Sequence, residues 1–153
     1  MPLYLTFTIA FLGFTCISAA RVVLSLYSLH LGAQPLTIEL GRTVIHGQNW
    51  AELDFLFNEV FIGDEYFVKL PRRDPLIIDC GANIGFATLY LKQHYPAARI
   101  SCFEPNPGCF ALLQKHVEEN HLQNVAAHQV ACGKQNGEIS FFVNPGFSPL
   151  SSM

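Results

Sequence analysis

Two short apolar runs, PLIID at 75–79 and ARISCFE at 98–104, each close on an acid and each lead into a stretch with helical periodicity. That pattern constrains the chain more than any other. Apolar runs without alternation suit strands buried on both faces. The segment IGFATLYLKQHY after the first run reads as a helix stopped by Pro96. NPGCFALLQKHVEENH reads as a second helix, with Asn106 as its cap, Pro107 at its first position and Phe110, Leu113 and Val117 on one face. NVAAHQVACG supplies a third strand, and beyond a turn at Gln135, Asn136 and Gly137, EISFFV supplies a short fourth. Strand, helix, strand, helix, strand with short links implies right-handed crossovers and a parallel sheet.

Upstream, LTIEL and RTVIH alternate as two short strands around a turn at Gly41, which predicts a hairpin. NWAELDFLFNEVF then places Trp50, Leu53, Leu56, Phe57 and Val60 at helical spacing, with Asn49 available as the cap. GDEYFVKLPRRD has the polarity and the proline of a connecting loop. The division expected is an apolar helix over 1–32, a hairpin and helix over 33–70, and the α/β domain over 71–153.

The bulk composition excludes several classes. A formal net charge of −3 shows no basic surplus, so no nucleic-acid partner is expected. The five cysteines, Cys16, Cys80, Cys102, Cys109 and Cys132, form an odd set without a CxxC pair, which points to small buried thiols in a reducing compartment. The six histidines lack ligand spacing and read as surface or internally satisfied residues, so no metal is expected.

In open parallel sheets a ligand docks outside the carboxyl ends of the strands. Asp79 ends the first strand, so the loop CGANIG lies where a ligand would sit. Gly81 and Gly85 allow a tight turn and close backbone approach, and Asn83 is among the few other residue types that tolerate positive φ. The next helix points its free N–H groups and positive end at the same place. A plain strand-to-helix turn would use the same glycines. The second acid separates the readings: Glu104 closes the second strand about 20 residues beyond the loop, where a carboxylate accepts from ribose hydroxyls. A ribose-bearing cofactor is therefore favoured. A dinucleotide site would show G-x-G-x-x-G, whereas this chain shows D-x-G-x-N-x-G with Asp79 beside the loop. An anionic side chain repels a pyrophosphate and suits an ammonium or sulfonium, which selects S-adenosyl-L-methionine over NAD.

IIDCGANIGFATLYL, RISCFEPNPGCFALLQKHVEEN and NVAAHQVACGKQNGEISFF, in that order and spacing, resemble the FkbM-type S-adenosylmethionine-dependent methyltransferases. LDFLFNEVFIGDEYF is similar to the segment leading into their first strand, and the likeness covers roughly residues 37–150. It implies a methyltransferase whose glycine loop holds the methionine portion of the donor and whose Glu104 holds the ribose. It also implies O-methylation of a small-molecule or sugar hydroxyl. The fold expected is α/β: a Rossmann-like class I methyltransferase sheet that stops after its third parallel strand, with an apolar N-terminal helix. Such a sheet leaves its first strand as an exposed apolar edge, and on this reading the chain is a fragment holding the donor-binding half. No general base is named, and Asp64, Glu65 and Tyr66 read as a solvated loop rather than a lid. The alternatives are a non-catalytic, membrane-tethered binding fragment and an NAD-binding oxidoreductase.

Residues 3–20, LYLTFTIAFLGFTCISAA, carry no charge, and Arg21 is followed by VVLSLYSLHL. A membrane helix needs about 18 or more such residues, so an anchor and a buried internal helix are both open here. A cleaved signal peptide is disfavoured, because no Lys or Arg precedes the apolar stretch. The expected location is the cytoplasm, with the domain facing the cytosol if the anchor is real.

Overall fold

Leu76–Cys80, Arg99–Phe103 and Val125–His128 form one all-parallel sheet in that spatial order, as the alternation of apolar runs and helices requires. The computed structural model describes residues 7–9, 36–138 and 140–143. A second sheet joins β1 (Phe7–Ile9), β2 (Leu36–Leu40) and β3 (Thr43–Gly47). β2 and β3 are the expected hairpin, pairing antiparallel across the turn at Gly41, and β1 runs parallel to β2. Helix α1 spans Trp50–Phe57 and continues as a π-helical turn over Asn58–Ile62, closed by the Gly63 N–H donating to the Asn58 carbonyl at 2.6 Å. The expected cap is present: the Asn49 side chain accepts the Glu52 N–H at 2.9 Å.

The three strands of the parallel sheet are β4 (Leu76–Cys80), β5 (Arg99–Phe103) and β6 (Val125–His128). Helices α2 (Phe86–His94) and α3 (Pro107–Glu119) cross between them. Asn106 caps α3 by accepting the Gly108 N–H at 3.0 Å, and Pro107 takes its first position. Ile84, Phe86, Leu89, Ile100, Cys102 and Leu113 bury together with Ile38, Ile45, Leu53 and Val60, so hairpin, α1 and sheet share one apolar core.

Burial along β4 alternates, which corrects the expectation of a strand covered on both faces. Ile77 and Asp79 face the helices, while Leu76 and Ile78 are 64% and 65% exposed on the other face. β4 is also the sheet edge, the exposed apolar edge expected from the sequence.

Three further expectations change. The third strand ends at His128 rather than running on to Gly133, because the Val130 N–H turns back to the His128 carbonyl at 3.0 Å. EISFFV forms no strand among the described residues: Phe142 makes one isolated bridge pairing and stands exposed, with no sheet face to bury it. Cys102 and Cys109 are buried as expected, but Cys80 and Cys132 are exposed, Cys80 because it ends β4 on the open face. The apolar helix expected over 1–32 lies outside the described residues, except that Phe7–Ile9 are strand. Among the described residues no helix is long and apolar enough to cross a membrane.

Candidate donor-binding site

β4 and β5 pair Asp79 with Cys102 and Cys80 with Phe103, which sets Asp79 and Glu104 at the same carboxyl end of the sheet. The loop between β4 and α2 is stitched down there. The N–H groups of Gly81 and Ala82 both donate to the Phe103 carbonyl, at 2.8 and 3.1 Å. The Asn83 N–H donates to Glu104 Oε2 at 2.8 Å, and the Gly85 N–H to the Ala82 carbonyl at 2.8 Å. Gly81, Asn83 and Gly85 carry φ of 89, 50 and 90°, so all three of these predicted loop residues occupy backbone conformations that favour glycine or asparagine.

This geometry decides among the uses of a glycine loop. A phosphate cradle aims its backbone N–H groups at the ligand. Here those of Gly81, Ala82, Asn83 and Gly85 are committed to protein acceptors. What the loop presents is open backbone: a Cβ built on Gly81 meets nothing within 4 Å.

Glu104 is 6% exposed and does more than border the loop. Its Oε1 accepts the Asn106 N–H at 2.7 Å while its Oε2 accepts from Asn83, so one carboxylate ties the glycine loop to the start of α3. Each oxygen keeps a second lone pair, the acceptor capacity a ribose hydroxyl would use. Asp79 is half-buried against α2, where the Thr88 hydroxyl donates to it at 3.4 Å. Burial pushes its carboxyl above the usual range; the Thr88 bond opposes that, and the charge of Glu104 adds to it. The charge of Glu104 thus reaches Asp79, and a cation placed beside Asp79 offsets it.

Sequence reasoning missed Thr88, whose hydroxyl also lies 3.1 Å from Cys102 Sγ. Its signal was a hydroxyl among the apolar residues of FATLYL. The loop Gly63–Phe67 is mostly exposed, as expected, but Tyr90 on α2 donates its hydroxyl to Asp64. The Tyr66 hydroxyl titrates above its ordinary value through burial and then the charges of Glu59, Asp79 and Glu65.

Methyltransferase 1 of Beauveria bassiana (strain ARSEF 2860) is 36% identical over 94 residues, 61% of this chain and 38% of that protein. Methyltransferase sdnD of Sordaria araneosa is 35% identical over 120 residues, 76% of this chain and 46% of that protein. The 31-O-demethyl-FK506 methyltransferase FkbM of Streptomyces tacrolimicus is 34% identical over 101 residues, 64% of this chain and 35% of that protein. These likenesses support an FkbM-type methyltransferase family for the chain. No family model matches it. The chain spans less than half the length of each of these three relatives.

Proposed function

We propose that the chain carries the donor-binding half of an S-adenosylmethionine-dependent O-methyltransferase acting on a small-molecule or sugar hydroxyl. The observation that carries this reading is the inward commitment of the loop N–H groups beside two carboxylates. That arrangement suits a cationic, ribose-bearing ligand and not a pyrophosphate. The open space in front of Gly81 fits the methionine portion of the donor, Asp79 its ammonium and Glu104 its ribose. The acceptor class follows the relatives, one of which is named for methylation at an oxygen.

When bound, S-adenosylmethionine would supply an activated methyl group to an acceptor oxygen, with adenosylhomocysteine as the leaving group. The chain's own residues hold and orient. Gly81 and Asn83 shape the backbone surface, and Glu104 fixes the loop against α3 while offering its free lone pairs. Positioning of this kind supplies much of the acceleration in a two-substrate displacement. No residue is assigned as general base.

Thermal melts of the chain with adenosylhomocysteine and, separately, NADH test the reading. A ligand that binds only the folded state raises the melting temperature with its concentration. A rise with adenosylhomocysteine alone is expected; a rise with NADH alone, or with neither, overturns the donor assignment.

A further inference from the structure

His116 lies buried on α3, and main-chain groups engage both its ring nitrogens. Nδ1 is 2.6 Å from the carbonyl oxygen of Ile84, inside the glycine loop. Nε2 is 2.6 Å from the backbone nitrogen of His46 on β3. A carbonyl only accepts and a backbone N–H only donates, so the ring must be neutral, with its proton on Nδ1. Nothing in the loop chemistry described above requires this residue, yet it touches the loop at Ile84, next to the Asn83 that Glu104 holds.

The same helix is fastened to the same hairpin a second time. Asn120 accepts the Val44 N–H at 2.7 Å and donates to the Val44 carbonyl at 2.7 Å. The Asn120 side chain bonds Val44 and its own helix at the His116 carbonyl, whereas His116 bridges loop and hairpin in one side chain. The titratable groups that face His116 are His46, whose ring stacks on it at 5.6 Å, and Glu119 on its own helix. Glu119 is in turn paired with His46 Nε2 at 2.7 Å and with Lys115 at 3.7 Å.

We infer that His116 is a positioning residue for the donor loop, holding the Ile84 carbonyl from behind so that the β2–β3 hairpin and the donor site are one coupled unit. This rests on the proposal that residues 81–85 hold the donor. A neutral ring is required, so acid disables the device: burial above all holds the His116 pKa down to about 4, and the charge of His46 lowers it further. Protonation puts a hydrogen on Nε2 where it meets the His46 N–H, so the ring keeps the Ile84 carbonyl but loses the hairpin that braces it.

Three variants and one spectrum test this. In His116→Leu the ring's two bonds are lost while an apolar side chain remains, and adenosylhomocysteine affinity is expected to fall about tenfold, the equivalent of one lost hydrogen bond. His116→Gln offers one donor and one acceptor without titrating; it should recover most of that affinity and stay flat as pH falls through about 4, where the wild type weakens. Asn120→Ala cuts hairpin from helix without touching the loop, and affinity within about twofold of wild type is expected by the additivity of separate sites. Nitrogen-15 NMR of the wild-type chain should show His116 protonated at Nδ1 only. Wild-type affinity in His116→Leu, an equal loss in Asn120→Ala, a pH profile in His116→Gln like the wild type's, or the opposite tautomer each overturn the inference. If the wild type itself fails to bind adenosylhomocysteine, the donor reading falls instead, and the NMR tautomer still decides the anchoring role.

Discussion

Glu104 accepts the Asn83 N–H at 2.8 Å, so the acid expected to hold a ribose first holds the loop that would hold the rest of the donor. Stability and binding are thereby linked in one carboxylate. In Glu104→Gln one oxygen survives as an acceptor, while the new amide NH₂ faces either the Asn83 or the Asn106 N–H. A buried donor left unsatisfied costs about 1–3 kcal/mol. Urea unfolding should show a loss of that order, and adenosylhomocysteine titration a drop of at least about tenfold at temperatures where the variant is folded. Unchanged unfolding would refute the stapling role.

Gly81 and Gly85 share a φ near 90° but differ in what surrounds them. A Cβ at Gly85 would stand 2.6 Å from Leu113 Cδ1, whereas one at Gly81 meets open space. Both alanine variants should lose about 1–2 kcal/mol to backbone strain. Gly85→Ala should lose more, because Leu113 is fully buried and must shift. Gly81→Ala should instead lose donor affinity, since its methyl enters the space in front of the loop. Equal unfolding free energies for the two variants would contradict this.

Asp79 lies on the helix-covered face of the sheet, where its charged form is disfavoured by burial and, after the opposing Thr88 bond, by Glu104. A carboxyl raised in the folded state contributes stability at pH below its unfolded value, and loses it as pH rises through the folded value. At neutral pH Asp79 is thus a burden on the fold. Asp79→Asn should melt higher than wild type at pH 7 while binding adenosylhomocysteine more weakly, because the ammonium loses its partner. A variant that melts lower and binds equally well would remove Asp79 from the site.

How far the sequence could be read depended on range. The hairpin, the Asn49 and Asn106 caps, the three parallel strands and the loop conformations at Gly81, Asn83 and Gly85 follow from local chemistry, and each was legible. What failed was non-local. The open face of β4 could not be read from LIIDC, since nothing in a strand says on which sides its crossovers will pack. EISFFV has strand composition but finds no partner ladder among the described residues. His116 reads as one more helical residue until β3, α3 and the loop meet around it. Asp79 and Glu104 were placed together correctly, but that Glu104 is spent twice on backbone depends on where Asn83 and Asn106 end up.

His116 also sets an acid limit on the fold. Its pKa falls from an unfolded value near 6.5 to about 4 in the folded chain, with burial the main cause. A depressed histidine contributes stability that is full above the unfolded value and lost as pH falls through the folded one. Urea midpoints should therefore decline between pH 6.5 and 4, and the decline should be shallower in His116→Gln. Parallel slopes for the two proteins would show that other groups carry the acid transition.

The exposed face of β4 gives the last prediction. Leu76 and Ile78 stand on an edge that is unpaired among the described residues, with their side chains turned away from both helices. An apolar, unpaired strand is a template for association with other chains. Ile78→Thr keeps a β-branched side chain, so strand preference is retained while the apolar surface shrinks. In the 153-residue chain this substitution should leave the unfolding free energy within about 0.5 kcal/mol, as expected for an exposed position. It should also slow concentration-dependent aggregation and reduce binding of a hydrophobic dye. A loss above about 1 kcal/mol would instead mean that Ile78 is packed in solution, because removing a buried methyl group from a covered face carries that cost.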